Sequence, residues 1–349
     1  MERKNTKKAA IILAGFCFSI LICFTPGSAS SLENFPFRDG DNIILTVPFA
    51  PGGGFDTYAR LLAPPLEKAI EKAGGINVSV IVKNVTGAGG RVGHEQVFRA
   101  KPNGRTLLIA HTGSLPNHEV IYKAKLKAGE FTYLGGISKF RWGLVVRQDL
   151  PIYTFHDLIK RSEEKPILMA SAGVGDDPHI SPLLIASILR EAGLEWKMDF
   201  VHFEGTAPAR ASVSRKETEA MYTVIGTLLP IVESGAARFI AVFTEERDPR
   251  CPEVPTIIEQ KVPGSKDILG ASSATWALVG PPKMPEVTTE VLRIAARTAI
   301  TSAEFRERAK KANRTVDYIP GEENRQIAIA KVDIVKKYKE MIEREMKMH

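Results

Sequence analysis

The chain has 349 residues, 3 cysteines and a formal net charge of +7. Its length is sufficient for two ordinary domains, each with an apolar core of its own. The basic residues are spread through segments that also carry glutamate, and no run of aromatic residues is interleaved with them. This pattern excludes a dedicated nucleic-acid-binding protein, although a mild positive field still favours anionic solutes.

The first residues have the three parts of an export signal. A basic stretch is followed by an apolar run over residues 9–24 and by small residues at 27–29. Because this run is shorter than the roughly 20 residues that cross a bilayer, a cleaved signal peptide over residues 1–29 is favoured over a retained anchor. We therefore predict a periplasmic protein. Its mature chain keeps Cys251 as the only cysteine and has no internal disulfide.

The mature chain begins with a predicted β-α-β-α-β unit. Residues 43–49 form a nearly continuous apolar strand, as expected in a parallel sheet covered on both faces. Further strands are predicted at 78–82 and 106–110, with a helix at 94–99. Another helix has its apolar face over residues 58–70, but Pro64 and Pro65 predict a kink or a break in it.

A second unit of the same kind is predicted from residue 143 onward. Thr154 and Asp157 form a variant capping box that opens a helix. The remaining predicted strands are at 143–147, 167–170, 200–202, 239–243 and 276–279, and helices follow Pro285. We therefore predict an α/β fold with two lobes and a ligand cleft between them. The predicted first lobe is discontinuous, at 30–140 and 250–349, and the second covers 141–249.

Two glycine-rich loops carry the main chemical signal. Residues 51–54 (PGGG) follow the first predicted strand, and residues 87–90 (GAGG) follow the second. Glycine permits positive φ and close approach of a ligand to backbone N–H groups. The helix after each loop adds unpaired amides and the positive end of its dipole. We predict a paired backbone site for a small anion. Asp56 is either the N-cap of the first helix or a group that orients water or a ligand amino group.

Other kinds of site have less support. Gly87, Gly89 and Gly93 have a dinucleotide-like spacing, but no acidic residue lies between Gln96 and His118 to bind a ribose. The 7 histidines include no HExxH motif and the chain has no cysteine cluster, so no metal and no cofactor is predicted. No G-x-S-x-G elbow is present, so an enzyme is not expected, although a periplasmic hydrolase stays as one alternative.

Several segments resemble, in order and spacing, the extracytoplasmic solute receptors of the tripartite tricarboxylate transporter family, also called Bug proteins. They are residues 47–60, 84–93, 102–107, 171–179, 202–209 and 254–256. The resemblance implies a two-lobe Venus-flytrap fold, of the type II-like periplasmic-binding-protein class. It also implies a small carboxylate ligand, delivered to the membrane permease subunits of such a transporter. We expect a monomer, because a receptor must present both lobe faces; a sensor that contacts a signalling receptor is the other alternative.

The resemblance also implies a set of ligand-binding residues. In the first lobe they are Phe49, Gly53, Gly54, Phe55, Asp56, Gly87, Ala88, Gly89 and Ser114, and in the second lobe Ser171, Asp176, His179, Thr206 and Ala207. The chain departs from the family pattern at Phe55, where Thr is common, at Asp176, where Thr or Ser is usual, and at Glu204, where Lys is common. Because two acids repel a second carboxylate, an acid with an amino, apolar or aromatic tail fits better than a tricarboxylate.

Overall fold

The first sheet is built on the predicted β-α-β-α-β unit. The computed structural model describes residues 35–203 and 205–348, apart from the side chains of 345, 347 and 348; the predicted signal peptide and Glu204 lie outside this part. The strands of the sheet are β1 (Asp41–Val47), β2 (Val78–Asn84), β3 (Thr106–His111), β4 (Thr132–Lys139) and β10 (Thr275–Gly280). Their order is β2-β1-β3-β10-β4, with β1, β2 and β3 parallel. The carboxyl ends of the three parallel strands therefore share one edge.

The first long helix, α1 (Gly54–Gly74), is continuous through Pro64 and Pro65. Of the predicted kink or break, the break is therefore wrong and the kink stays a prediction. Each interior proline costs about 3 kcal/mol. Burial offsets this cost, because a large apolar side chain contributes about 1.5–3 kcal/mol when it is removed from water. α1 packs on β2 and on α9 (Glu286–Thr301). Its fully buried large apolar side chains include Tyr58, Leu62, Leu66 and Ile70.

The second sheet has the order β7-β6-β8-β5-β9. Its strands are β5 (Trp142–Arg147), β6 (Ile167–Ser171), β7 (Met198–His202), β8 (Ala220–Val224) and β9 (Ala237–Phe243). β6 is parallel to β7 and β8, whereas β5 is antiparallel to β8 and β9. The second parallel unit therefore begins at β6 rather than near residue 143. β5 runs the other way because the chain enters it directly from the end of β4, through residues 140–141.

Helices cover both sheets. The capping box is confirmed at α4 (Phe155–Glu164): Thr154 Oγ1 accepts from Asp157 N at 3.0 Å, and Asp157 Oδ2 accepts from Thr154 N at 2.9 Å. The other helices before β10 are α2 (Arg91–Phe98), α3 (Ser114–Val120), α5 (Asp177–Glu191), α6 (Thr206–Ser214), α7 (Ile225–Glu233) and α8 (Ser265–Ser272). α1, α2, α5, α6 and α7 each follow a parallel strand, so they begin at the carboxyl edges of the sheets.

The chain returns to the first sheet after β9. It adds β10 and then α9, α10 (Ala303–Lys311), α11 (Gly321–Lys337) and α12 (Lys339–Met348). α11 contacts β4, α3 and α8, and α12 contacts α5. The main apolar core accordingly includes residues of both sheets, such as Leu45 and Leu144. No helix among the described residues is long and apolar enough to cross a membrane.

Candidate functional site

The first glycine loop, residues 50–54, connects β1 to α1. Gly52 has a φ of +82°, a conformation that favours glycine, and Gly53 is extended and is the N-cap of α1. No side chain among residues 35–203 and 205–348 caps this helix. Since no capping side chain binds the amides of the first turn, these amides and the helix dipole favour a negative charge at this edge of the sheet.

Asp56 holds the first glycine loop in shape. Its Oδ2 accepts hydrogen bonds from Gly52 N and Arg60 Nε, both at 2.9 Å, and its Oδ1 accepts one from Asn84 Nδ2 at 3.1 Å. Burial disfavours the carboxylate, but the bonds from Arg60, Gly52 and Asn84 outweigh burial and lower the pKa of Asp56. The predicted N-cap role is wrong, because Gly53 is the N-cap. The contact of Asp56 with ligand stays a prediction.

The second glycine loop, residues 87–90, connects β2 to α2. Its φ values are +128° at Gly87, +48° at Ala88, +62° at Gly89 and +92° at Gly90. A β-carbon on Gly90 would lie 3.0 Å from the Phe49 ring, so the second loop packs directly on the strand end that leads into the first. The two loops, which the sequence predicts to act together, therefore lie next to each other.

The second glycine loop also approaches the second sheet. A β-carbon on Gly89 would lie 3.3 Å from Val174 O and 3.7 Å from Asp176 N, in the loop of residues 172–176 that follows β6. The backbones of the two sheets are therefore close at this point. Gly89 and Asp176 were predicted from opposite lobes, and the fold brings them together.

Internal hydrogen bonds hold the loop of residues 172–176. Ser171 Oγ donates to Gly173 O at 2.9 Å, Asp176 Oδ1 accepts from His179 N at 3.0 Å, and His179 Nδ1 accepts from Gly175 N at 2.9 Å. Asp176 is thereby the N-cap of α5. Each predicted residue here has a structural role, and its contact with ligand stays a prediction.

The charge of Asp176 differs from the expectation. Burial raises the pKa of Asp176 to about 8, the bonds from His179 N and Ser171 oppose this, and the neighbouring Asp177 adds to the rise. The side chain is therefore mainly protonated at neutral pH. The expected repulsion of a second carboxylate by Asp176 does not apply there, and Glu204 lies outside the described residues.

Thr206 and Ala207 are the first two residues of α6. Gly205, the N-cap, has a φ of +116° and donates its N–H to Ala172 O at 3.0 Å. This bond joins the start of α6 to the loop of residues 172–176. The predicted residues of the second lobe consequently lie around the starts of two neighbouring helices, α5 and α6.

Ser114 belongs to a buried polar network between the sheets. Its Oγ lies 2.6 Å from His111 Nδ1, and His111 Nε2 lies 3.6 Å from Asp177 Oδ2. Asp177 Oδ1 accepts from Lys331 Nζ at 2.7 Å, and both of these side chains are fully buried. Burial lowers the pKa of His111 to about 4, so the ring is neutral at pH 7. This network ties α5 of the second sheet to β3, α3 and α11 of the first.

An aromatic cluster lies beside the glycine loops. The centroid of the Phe55 ring is 4.5 Å from Phe49, 5.9 Å from Trp276 and 6.3 Å from Phe140, and Phe140 is 3.8 Å from Trp276. Phe49 and Phe55 were predicted site residues. Phe140 was missed because a single phenylalanine between two strands has no motif. Trp276 was placed at the start of a predicted strand but was not predicted as a site residue.

Histidine chemistry does not define a metal centre in the described part of the chain, where no group of three or more His, Cys, Asp or Glu side chains is arranged to hold an ion. The rings of His94 and His118 are close, with their Nδ1 atoms 3.1 Å apart. Burial lowers the pKa of His94 well below its usual value and that of His118 to about 3. Both rings are neutral, so one donates to the other.

Comparison with known proteins gives a consistent result. A family model described as "Tripartite tricarboxylate transporter family receptor" matches residues 66–346. A protein encoded in the tcbD-tcbE intergenic region of Pseudomonas sp. (strain P51) is 27% identical over 304 residues, covering 86% of this chain and 84% of that one. A protein from the TAR-I ttuE-ttuC' intergenic region of Agrobacterium vitis is 29% identical over 305 residues, covering 86% and 80%.

Solved structures share the fold. The periplasmic binding protein BugD has a TM-score of 0.67 and 24% identity, with 87% of this chain and 97% of that chain covered. MatC from Rhodopseudomonas palustris, solved with bound malate, has a TM-score of 0.66 and 24% identity over the same shares. The predicted two-lobe α/β fold is confirmed by this likeness. Because the family model covers most of the sequence, the chain belongs to the receptor family of the tripartite tricarboxylate transporters.

Proposed function

We propose that this chain is an extracytoplasmic solute-binding protein that captures a small carboxylic acid between its two sheets and delivers it to a tripartite tricarboxylate permease. Family membership supports the class of protein. The binding mode rests on one observation: α1 begins without a capping side chain, beside a second loop whose residues all have positive φ. The amides of the two loops hold one carboxylate of the ligand.

Main-chain donors provide sufficient affinity without a charged side chain. A hydrogen bond to a charged group contributes about 1.5–3 kcal/mol, and the dipole of α1 adds about 0.3–1 kcal/mol. Three or four such bonds reach about −8 kcal/mol, which corresponds to a micromolar Kd.

The rest of the ligand lies against the aromatic cluster of Phe49, Phe55, Phe140 and Trp276. Ring faces favour an apolar or aromatic tail, while Asp176, mainly protonated at neutral pH, tolerates a further acidic or an amino group. The malate-bound MatC and an adipate-bound protein of Rhodopseudomonas palustris support a dicarboxylate, and the aromatic cluster supports a monocarboxylate with an apolar tail. Phe55 adds selection for the tail.

Export and lobe division are further parts of this proposal. Residues 1–29 direct the protein to the periplasm, where it works as a monomer. β4, the last strand before residues 140–141, belongs to the first sheet, and β5, the next strand, belongs to the second. This supports a first lobe at 30–140 and a second lobe that begins at residue 141. Cys251 and Val254 pack with Val145 and Val242 of the second sheet. This packing favours a boundary later than the predicted residue 250.

Gly53 offers a sharp test, because its φ of −77° is compatible with proline and with alanine. Gly53→Pro removes one amide donor, whereas Gly53→Ala keeps it and places a β-carbon 3.6 Å from Ala50 O, an ordinary contact. We expect Gly53→Pro to weaken carboxylate binding by about 10- to 150-fold, the equivalent of one charged hydrogen bond. Gly53→Ala should stay within about threefold. Equal affinities in calorimetry would contradict the proposal.

The ligand for this titration comes from mass spectrometry of the acid that co-purifies with the native protein. The hydrolase alternative draws on the Ser114 to His111 hydrogen bond. The Ser114 side chain is 0% exposed and Asp177 is paired with Lys331, so this arrangement presents no accessible nucleophile. Turnover of esters or amides by the wild type, lost in Ser114→Ala, would support that alternative. The sensor alternative would be supported if the protein binds a sensor kinase and if deletion of its gene leaves uptake of the acid unchanged.

A further inference from the structure

A second pocket lies between the sheets, next to the start of α1. The first sheet contributes Trp276 at the start of β10 and Arg314 after α10, and the second contributes Arg141 before β5 and Arg250 after β9. Its cavity volume is about 20 Å³, which is room for one or two water-sized groups. A carboxylate group or a single halide ion fits a cavity of this volume.

The charges on the pocket wall are all positive. Lys139, Arg141, Arg250 and Arg314 line it, and no acidic side chain of the described residues does. Lys139 is paired with Glu323 at 3.9 Å. Behind the wall, Asp248 Oδ1 lies 2.8 Å from Arg250 Nε, and Asp248 Oδ2 lies 3.9 Å from Arg141 Nε. One carboxylate is therefore shared by two guanidinium groups. Within the residues that the structure describes, Arg314 has no carboxylate at ion-pair distance. Cations from the two sheets thus face each other with too few anions, and they repel unless an anion lies between them.

Hydrogen-bond donors on the same wall have no partner. In the described part of the chain these donors are Arg314 Nε and the indole Nε1 of Trp276, both of them buried atoms. Arg141 Nε also makes no hydrogen bond, but it lies 3.9 Å from Asp248 Oδ2. Trp276 is only 6% exposed. Buried donors are almost always bonded, so Arg314 Nε and Trp276 Nε1 call for an acceptor.

The N-terminus of α1 adjoins this wall. A β-carbon on Gly54, the first residue of α1, would lie 3.7 Å from Arg314 Nη1 and 3.7 Å from Trp276 Cζ2. The uncapped amides of α1 therefore approach the unpartnered donors. Helix dipole, guanidinium and indole all favour an anion at this place.

We propose that this pocket binds a small anion, a carboxylate group or a halide, which links the two sheets across the cleft. As the second acidic group of a bound dicarboxylate, this anion would make the protein a dicarboxylate receptor, an assignment that rests on the proposed function. As a free ion, it acts as a counterion for closure. Both cases have the same chemistry: one negative charge lies between Arg314 and Arg141 and offsets the repulsion between them.

Calorimetry with acids of matched length distinguishes the two sources. Each pair has one dicarboxylate and the monocarboxylate of the same chain length: succinate with butyrate, and adipate with hexanoate. The Kd of each acid is measured for wild type, Arg314→Gln and Trp276→Phe. Arg314 is chosen because its loss leaves no carboxylate without a partner. Arg215→Gln is the control, since it removes the same charge from an exposed pair with Glu217 on the surface. In a second measurement, unfolding temperatures are compared in chloride and in the bulkier methanesulfonate at equal ionic strength.

If the second acid of the ligand occupies the pocket, wild type and Arg215→Gln prefer the dicarboxylate by about tenfold or more, and Arg314→Gln and Trp276→Phe lose that preference. If a free ion occupies it, chloride stabilises wild type and Arg215→Gln but not Arg314→Gln. Identical behaviour of Arg314→Gln and Arg215→Gln in both measurements overturns the proposal.

Failure of the proposed function has a different signature. If the wild type binds none of the acids and chloride still stabilises it through Arg314, the anion site stands and the carboxylate receptor does not. If acids bind with the expected sensitivity to Gly53→Pro while Arg314→Gln matches its control, the receptor stands and the anion site does not.

Discussion

The near contact between the two sheets at Gly89 is testable with one methyl group. Gly89 has φ +62° and ψ +28°, and its β-carbon would lie 3.3 Å from Val174 O on the other sheet. A contact this tight requires the neighbour to move by a few tenths of an ångström. Gly75, at the end of α1, has nearly the same backbone, with φ +62° and ψ +32°, and no atom of the described residues lies within 4 Å of its β-carbon position. Gly75→Ala is therefore a matched control for backbone strain.

Alanine in the left-handed region costs about 1–2 kcal/mol, so both variants should unfold a few degrees below wild type in circular dichroism. Only Gly89→Ala also hinders closure of the two sheets on a ligand. We expect calorimetry to show an affinity loss of about tenfold for Gly89→Ala, the equivalent of about 1.4 kcal/mol. Gly75→Ala should bind as wild type does. Equal affinities of the two variants would refute the inference that the second glycine loop and residues 172–176 meet in the ligand-bound protein.

Three further predictions concern the Asp176 carboxyl, the buried pair of Lys331 with Asp177, and the Phe55 ring. Asp176 has a pKa of about 8 in the folded protein against an ordinary 3.8. Because the folded state holds this proton more tightly than the unfolded state, the free energy of unfolding should fall as the pH rises from 3.8 to about 8. Carboxylate affinity should likewise fall above about pH 8, and Asp176→Asn, which keeps an N-cap acceptor, should flatten both profiles in calorimetry and thermal unfolding. Lys331→Met leaves Asp177 buried without its partner and should lower the free energy of unfolding in urea by about 3–5 kcal/mol. The double variant with Asp177→Asn should recover part of that loss, and no recovery would argue against the buried ion pair. Phe55→Thr removes one ring of the aromatic cluster and should weaken acids with aromatic tails about tenfold more than acids without them; equal losses in calorimetry would remove Phe55 from tail selection.

Much of the fold was predictable because its signals are local. Apolar runs located the parallel strands of the first sheet, and the Thr154 capping box located α4. β4 was missed, since it contains Gly135 and Gly136 and looks unlike a strand. Its glycines have a tertiary cause: a β-carbon on Gly136 would crowd Ile319 and the side chain of Asn324. No local pattern reveals a constraint set by residues almost 200 positions away.

The candidate site divides in the same way. The glycine loops were visible in the sequence because turn geometry limits which residues can occupy them. The role of Asp56 was not, since spacing alone does not distinguish an N-cap from a third-position carboxylate that accepts from Gly52, Arg60 and Asn84. The protonation of Asp176 depends on burial, which becomes known only when both sheets are in place.

The helix dipoles around the cleft favour an anion in addition to any side-chain partner. α1, α2, α5, α6 and α7 all begin at the carboxyl edges of the two sheets, so the positive ends of their dipoles converge there. The acids at two of these helix starts do not cancel that field: Asp56 is bonded to its own loop and Asp176 is mainly protonated at neutral pH. In the proposed binding mode, the backbone selects the charge and the aromatic cluster selects the tail. A change at Phe55 should alter the preference among acids while carboxylate recognition persists.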